Sequence, residues 1–310
     1  MTQSRTMHPV TPFRARTLYR LLYKRLRLPR DSVHRLLSSL KRIGHGERIR
    51  EREGLAGELA SGGPMALEQD RGFRLFGPDE LPGAASAAEA CRTLYERFRA
   101  EGRDKELLQR NPNKRFLLST LSGDEFHAHP ALVEFMVSPA IVDMASHYLG
   151  TVPVLEGAAL WWTPPNDSKT SSQMWHIDEL APRQVKILLN CFDTGDEHGP
   201  LHLLPAAFSE KLRSEAGHRR GRLDDHWLET DQTRELTARA TGPAGSGLIF
   251  DSSRCLHFGS RGNRLDRLVL AFHFLPFDAP TETRYRLTAP PTLATRTDLV
   301  RRQQLALGLA

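Results

Sequence analysis

Two histidines and one aspartate are the residues best suited to chemistry in this sequence. His176 and Asp178 are separated by one residue, and His257 lies in a later segment. Successive side chains of an extended strand alternate between its two faces, so His176 and Asp178 would point to the same side. Two imidazoles and one carboxylate can bind one face of a metal ion and leave its other positions open, an arrangement typical of Fe(II) sites that react with dioxygen. We therefore interpret these residues as candidate metal ligands and as the catalytic centre.

The order and context of these residues are more informative than the His-x-acid tripeptide. With 13 His and 37 acidic residues in 310, about 1.5 such tripeptides are expected by chance. His45-Gly46-Glu47 has the same pattern but lies among Gly and Arg residues without a strand pattern. His257, by contrast, ends a Gly-rich and then strand-like segment, and Arg267 opens a short apolar run typical of a buried strand. A guanidinium at that position can hold a carboxylate by two parallel hydrogen bonds.

Several stretches between residues 115 and 277 match the motifs of one known family. They are 139–150 ending in Leu149-Gly150, Gln173-Met-Trp-His-Ile-Asp178, 186–194, His198-Gly-Pro-Leu-His-Leu-Leu-Pro205, and His257-Phe-Gly-Ser260 with Arg267. In these stretches the sequence resembles the phytanoyl-CoA dioxygenase-like branch of the 2-oxoglutarate-dependent oxygenases. One departure is clear, because Pro205-Ala-Ala-Phe208 stands where the family has Pro-Gly-Ser-His.

The resemblance implies an Fe(II) ion held by the three candidate ligands and a 2-oxoglutarate co-substrate whose distal carboxylate is bound by Arg267. It also implies a small-molecule substrate and dioxygen as partners. Relatives that halogenate have a small residue in place of the acid, so Asp178 favours hydroxylation or a related oxidation. The further candidates for cofactor contact are Lys186, Thr163 and Gln173.

Three residues near the motif are candidates for substrate binding. Trp161 and Trp175 lie close to the site in sequence, and Arg183 follows Asp178 by five positions. Core packing explains either tryptophan equally well, and a solvated surface arginine is the usual alternative for Arg183. No residue selects a particular substrate.

The predicted fold is mainly β with helical additions, a double-stranded β-helix (a cupin-like jelly roll) with helices packed outside and the metal in its mouth. Residues 1–53 form a basic helical segment, residues 54–280 the oxygenase domain, and residues 281–310 a tail with a short helix around 298–307. Helices are also predicted at 86–111, at 131–149 with a break near Pro139, and at 206–216. The charged segment 217–233 is either a lid over the site or surface decoration.

Charge is concentrated at the N-terminus. Residues 1–50 contain thirteen Arg or Lys against Asp31 and Glu47. Two short helices are predicted there, 17–28 and 31–43, with leucines at helical spacing in the first. This segment could meet an anionic partner, or it could pack its leucines on the barrel and leave its arginines solvated. A non-catalytic jelly roll that docks on nucleic acid or membrane through this segment is therefore the alternative to an enzyme.

Composition indicates a soluble protein of a reducing compartment, for which we predict the cytoplasm. The three cysteines Cys91, Cys191 and Cys255 are an odd number without metal-like spacing. No apolar stretch reaches the length of a membrane span. Residues 1–30 are rich in Arg and lack acids, so a mitochondrial presequence is a second possibility. Oligomeric state is not predicted.

Overall fold

Two antiparallel sheets form the centre of the molecule. The computed structural model describes residues 17–218, 220–280, 283 and 285–309. The strands are β1 Phe73–Phe76, β2 Leu118–Ser122, β3 Val154–Thr163, β4 Val185–Asn190, β5 His202–Leu203, β6 Ala238–Arg239, β7 Gly247–Asp251, β8 His257–Phe258 and β9 Arg267–Leu275. The larger sheet has six strands in the order β1-β7-β4-β9-β3-β2, and the smaller has three in the order β6-β5-β8.

Strand β9 shows how the larger sheet divides its side chains. Every residue from Arg267 to Leu275 is buried, because both faces of the strand are covered. The side chains at alternate positions point to opposite faces. Arg267, Val269, Ala271 and His273 line a cavity, whereas Leu268, Leu270, Phe272 and Phe274 pack into the core under the helices. This two-sided burial explains why the sequence of β9 alternates so poorly.

The cavity-lining face of the larger sheet packs on the smaller sheet. Leu188 and Phe250 of the larger sheet share one apolar cluster with Leu203 of the smaller sheet. Antiparallel sheets with helices outside are what the sequence predicts, and the double-stranded β-helix itself stays a prediction.

Helices cover the outer face of the larger sheet. The predicted helix at 86–111 is two helices, because Gly102 adopts a left-handed conformation (φ 72°) between them. The break near Pro139 and the helix at 206–216 agree with prediction. The helices are α1 Arg30–Gly57, α2 Ala84–Ala100, α3 Arg103–Arg110, α4 Pro130–Met136, α5 Pro139–Leu149, α6 Ala206–Glu215, α7 Asp231–Leu236, α8 Pro291–Ala294 and α9 Arg301–Ala306.

The N-terminal segment differs from its prediction in extent. Helix α1 continues to Gly57 with a kink at His45, so it crosses the predicted boundary between residues 53 and 54. Arg52 is fully buried and donates hydrogen bonds to the carbonyl oxygens of Val152 (2.8 Å) and Leu305 (2.9 Å). This arginine therefore joins α1 to the start of β3 and to the C-terminal helix. The division into domains stays a prediction.

The N-terminal leucines, for which packing on the barrel was one of two alternatives, are buried only in part. A helical turn of π type at Arg20–Arg25 precedes α1, and residues 1–16 of the basic segment lie outside the described residues. Leu18 and Leu22 are partly buried, but Leu21 and Leu26 are exposed. No helix in the described part of the chain has both the length and the apolar character needed to cross a membrane.

Candidate metal centre

The two candidate histidine ligands are placed side by side by backbone hydrogen bonds. The amide of His176 donates to the carbonyl oxygen of His257 (3.0 Å), and the amide of His257 donates to that of His176 (2.9 Å). The two imidazole centroids are 4.3 Å apart. Asp178 continues the same extended segment, and its amide donates to the carbonyl oxygen of Ser252 (2.7 Å). The His-x-Asp segment thus runs alongside β8, although His176 forms only an isolated bridge there and no regular strand.

Each imidazole is oriented by a carbonyl group two residues earlier in the chain. Nδ1 of His176 lies 2.8 Å from the carbonyl oxygen of Met174, and Nδ1 of His257 lies 2.9 Å from that of Cys255. A carbonyl oxygen only accepts, so each Nδ1 must carry the proton, which leaves the lone pair on Nε2. Such backbone partners fix the tautomer and ring orientation of metal-binding histidines.

The donor atoms of His176, Asp178 and His257 lie within 4.8 Å of one another and could hold a metal ion. Nε2 of His176 is 3.9 Å from Oδ1 of Asp178. Two neutral nitrogen donors and one carboxylate oxygen match the donor set of a facial triad. The residues present therefore fit an Fe(II) ion.

Burial and charge keep these donors in the protonation states that bind metal. Burial lowers the pKa of His176 to about 4 and that of His257 to about 3, so both imidazoles are neutral at neutral pH. Burial alone would raise the pKa of Asp178, but the Lys186 ammonium and the two histidines outweigh it and hold this pKa well below its usual range. Lys186, on β4, makes an ion pair with Oδ2 of Asp178.

The three donors open into a cavity of about 530 Å³ between the sheets. Lys186 and Arg267 line it from the larger sheet, together with the apolar side chains of Leu188, Val269 and Ala271. The structure thus brings six of the predicted site residues to one cavity: Trp161, His176, Asp178, Lys186, His257 and Arg267.

Arg267 is a buried cation with unused donors. Its side chain is 3% exposed, and burial lowers its pKa to about 10, which still leaves it charged at neutral pH. Nη1 donates to the carbonyl oxygen of Gly199 (3.3 Å) and to Oγ of Ser260 (3.5 Å). Nε and Nη2 have no hydrogen-bond partner among the described residues. A buried guanidinium with free N–H groups at a cavity wall fits an anionic ligand such as a carboxylate.

Thr163 and Gln173, predicted as cofactor contacts, do not line the cavity but are bonded around Ser260. The Thr163 hydroxyl lies 3.1 Å from that of Ser260 and accepts a hydrogen bond from the amide of Leu117 (3.0 Å). The Gln173 amide group donates to the carbonyl oxygen of Ser260 and to Asn166. Both side chains are therefore bonded to the loop beside Arg267 and do not line the cavity, and their contact with a cofactor stays a prediction.

The three residues predicted to bind substrate also differ in whether they line the cavity. Trp161 lines the cavity and packs edge-on against Tyr285 with ring centroids 4.6 Å apart. Trp175 is buried in a separate apolar cluster against Phe258. Arg183 stacks on the ring of Tyr148 outside the cavity. Of the three, Trp161 lines the cavity and the other two do not, and the substrate contacts stay predictions.

Other cavity residues were missed by sequence reasoning. His273 could have been found, because it lies on β9 on the same face as Arg267. Tyr19 and Lys24 come from the N-terminal segment, and Tyr285 comes from the predicted C-terminal tail. Arg222 lies within the predicted lid segment 217–233 and lines the cavity as well. Apart from His273, these residues come from segments far apart in the chain, and no local pattern indicates that they line one cavity.

No protein-family model and no curated protein matches this sequence. Some solved structures are similar in part. One is EctD from S. alaskensis with 2-oxoglutarate and 5-hydroxyectoine, at 16% identity over 67% of this chain and 73% of that chain, with a TM-score of 0.48. Another is AviO1 from Streptomyces viridochromogenes Tue57, at 16% identity over 73% and 99%, with a TM-score of 0.44.

A third similar structure is the non-heme alpha ketoglutarate dependent epimerase SnoN from nogalamycin biosynthesis. It is 15% identical over 72% of this chain and 83% of that chain, with a TM-score of 0.40. Identities and scores this low assign neither a reaction nor a substrate to this chain.

Proposed function

We propose that this protein is an Fe(II)- and 2-oxoglutarate-dependent oxygenase that hydroxylates, or otherwise oxidises, a small molecule. The observation that carries the proposal is the convergence of His176, Asp178 and His257 on one point of a cavity that also contains the buried guanidinium of Arg267. The motif resemblance supports the phytanoyl-CoA dioxygenase-like branch as its place among such enzymes.

In this proposal the protein's residues bind the iron and 2-oxoglutarate, orient the substrate and exclude water. His176, Asp178 and His257 would hold the iron, and Arg267 would hold the distal carboxylate of 2-oxoglutarate. When bound, the iron and 2-oxoglutarate supply the oxidising chemistry, in which one oxygen atom of O₂ enters succinate with release of carbon dioxide and the other enters the substrate. The retained carboxylate of Asp178 favours hydroxylation over halogenation.

The walls of the cavity would position the substrate. Leu188, Val269 and Ala271 cover the inner face of the larger sheet next to Lys186 and His273. Apolar side chains there would exclude water from the reacting groups, and Trp161 adds an aromatic ring to the cavity lining next to Tyr285.

The test is an anaerobic titration of the metal-free protein with Fe(II) and 2-oxoglutarate, followed by the visible charge-transfer absorption of their chelate. We expect an absorption band in the wild-type protein and its loss in His176→Ala. His202→Ala is the matched control, because His202 lies on β5 of the smaller sheet but does not line the cavity. Absence of a band in folded wild-type protein would overturn the proposal.

Arg267 is tested separately through the affinity for 2-oxoglutarate. Loss of a charge-assisted pair is worth roughly 1.5 to 3 kcal/mol, so Arg267→Gln should raise the Kd for 2-oxoglutarate by about 10- to 100-fold while Fe(II) still binds. Arg239→Gln, at an exposed arginine of β6, should leave both affinities unchanged. Equal affinities in Arg267→Gln and wild type would show a metal site that does not need 2-oxoglutarate.

A further inference from the structure

Exposed apolar side chains are concentrated in one short stretch of the chain. Of ten exposed large apolar residues among those described, six lie between positions 21 and 43, and Ile43 is 84% exposed. Leu36, Leu40 and Ile43 recur at helical spacing and form one stripe on α1. We call the following six residues the N-terminal surface: Leu21, Leu26, Leu28, Leu36, Leu40 and Ile43.

The same stretch carries a strong positive charge. Residues 17–43 contain eight Arg or Lys and the single acid Asp31. Among the described residues no acidic group forms an ion pair with four exposed arginines of this stretch, which are Arg20, Arg25, Arg27 and Arg35. The surface therefore combines exposed apolar groups with unneutralised cations.

The inner side of this segment is well anchored, so the exposure of its outer side is not a consequence of loose packing. Tyr19 and Tyr23 are buried against Val33 and Leu37 of α1. The hydroxyl of Tyr23 donates to Oε1 of Glu179 (2.5 Å), and that of Tyr19 donates to the Glu179 carbonyl oxygen (3.1 Å). The segment is thus held by the residue that directly follows Asp178.

Further bonds hold the chain between the helical turn and α1. Arg220 donates to the carbonyl oxygens of Tyr23 (2.5 Å) and Leu28 (2.7 Å), and its guanidinium stacks on the Tyr23 ring. Lys24 donates to Oε2 of Glu179 (2.7 Å). With this much of the inner side engaged, the leucines of the N-terminal surface are turned outward as a fixed feature of the fold.

We propose that the N-terminal surface docks on an anionic lipid membrane. Leucines and an isoleucine can insert into the boundary between headgroups and acyl chains, while arginines beside them neutralise anionic headgroups. Nucleic acid would satisfy the cations but would leave the exposed leucines in water. A second copy of the chain would bring two strongly positive surfaces together, which like-charge repulsion opposes. A lipid surface is the partner that uses both features.

Docking would place one wall of the cavity at the membrane. Tyr19 and Lys24 belong to the docked segment and also line the cavity with His176 and Asp178. The inner side of the segment would therefore line the cavity while its outer side contacts lipid. This inference does not depend on the proposed reaction.

The experiment is flotation of the full-length protein with vesicles of phosphatidylcholine alone and of phosphatidylcholine mixed with phosphatidylglycerol. We expect binding only to the mixed vesicles, weakened by salt. Leu36→Gln/Leu40→Gln/Ile43→Gln should lower the partition coefficient by about tenfold or more. Arg20→Gln/Arg25→Gln/Arg27→Gln should lower it by about fivefold for each cation removed.

Matched control variants separate the N-terminal surface from general surface properties. Leu265→Gln and Val300→Gln remove side chains of similar exposure elsewhere, and Arg264→Gln removes an exposed cation on another loop. These three should bind as the wild type does, and circular dichroism should show that every variant is folded.

Three outcomes would overturn the proposal. One is failure of folded wild-type protein to float with the mixed vesicles. Another is binding to duplex DNA or RNA that depends on the arginines but not on the leucine stripe. The third is a dimer, seen by analytical ultracentrifugation, that Leu36→Gln/Leu40→Gln/Ile43→Gln dissociates.

Discussion

At the residue scale, Lys186 is the cation that pairs with the Asp178 carboxylate. The two side chains form an ion pair, and each is about one-quarter exposed (24% and 23%). A metal ion bound by Asp178 would be a second cation at the same carboxylate. The lysine charge keeps the carboxylate ionised, which is the form that binds metal.

We predict that Lys186→Met destabilises the metal-free protein by roughly 2 to 3 kcal/mol, because it leaves a largely buried carboxylate without its partner. Asp178→Asn/Lys186→Met should recover most of this loss, because no unpaired charge remains. Fe(II) should stabilise Lys186→Met more than it stabilises the wild type, since the metal replaces the missing cation.

Urea unfolding of the four proteins of this double-mutant cycle, with and without Fe(II) under anaerobic conditions, measures these differences. If the two substitutions changed the free energy of unfolding of the metal-free protein additively, the ion pair would make no contribution to stability, which would contradict the prediction. Lys41→Met is a suitable control, because Lys41 bonds to backbone carbonyls far along the chain from the metal centre.

At the element scale, the C-terminal segment around Tyr285 reaches the cavity because β3 contains a glycine at the point of contact. A Cβ on Gly157 would lie 2.5 Å from the carbonyl oxygen of Tyr285 and 2.5 Å from a Thr283 methyl carbon. Gly157 also lies at an irregularity in the pairing of β3 with β9. The absence of a side chain there lets the segment approach β3 and places Tyr285 against Trp161.

We predict that Gly157→Ala displaces this segment and destabilises the protein by about 1 to 3 kcal/mol, the usual range for overpacking. The contact between Trp161 and Tyr285 should loosen, which is measurable as a shift in tryptophan emission that Trp161→Phe removes. Gly195→Ala is the matched control, because its added Cβ would meet only one side-chain atom, at 3.9 Å. An unchanged emission and melting temperature in Gly157→Ala would show that the segment does not depend on this glycine.

At the scale of the whole molecule, burial of histidines makes stability depend on pH. Burial lowers the pKa of His34 to about 4 and, with the charge of Lys186, that of His273 to about 3. In the unfolded chain both titrate near the ordinary value of about 6.5. As pH falls below that value, the unfolded state takes up protons that the folded state does not.

We therefore predict that the metal-free protein is most stable above about pH 6.5 and loses about 2 to 3 kcal/mol for each of these histidines as pH falls to about 4. His34→Gln/His273→Gln should flatten this part of the stability profile relative to wild type. Chemical unfolding at a series of pH values tests this, and an equally steep profile in the double variant would contradict it.

The local patterns of the sequence were sufficient for several parts of the site. Alternation along an extended segment predicted that His176 and Asp178 share a face, and the structure places their donor atoms together with that of His257. Pro139 and the apolar run after Arg267 likewise predicted a helix break and a buried strand. These features depend on neighbours within a few residues, so they can be predicted from the sequence alone.

Other parts depend on contacts between distant segments. The spacing of hydrogen-bonding side chains gave no sign that Gln173 and Thr163 are bonded around Ser260 and absent from the cavity wall. The leucines of the N-terminal segment have the spacing of a packed helix, yet tyrosines occupy the inner side and several leucines face outward. Periodicity shows which residues share a face, but it does not show which face another element will cover.

By itself, the sequence determined the three candidate ligands, the strand that carries Arg267, the helices outside the sheets and the concentration of positive charge at the N-terminus. Only the tertiary structure decided that Lys186 pairs with Asp178, that Arg267 keeps free donors in a buried wall, and that Tyr19, Lys24 and Tyr285 complete the cavity. The physical reason is that side-chain type and local period fix conformation over a few residues, whereas burial, desolvation and ion pairing arise between segments that folding brings together.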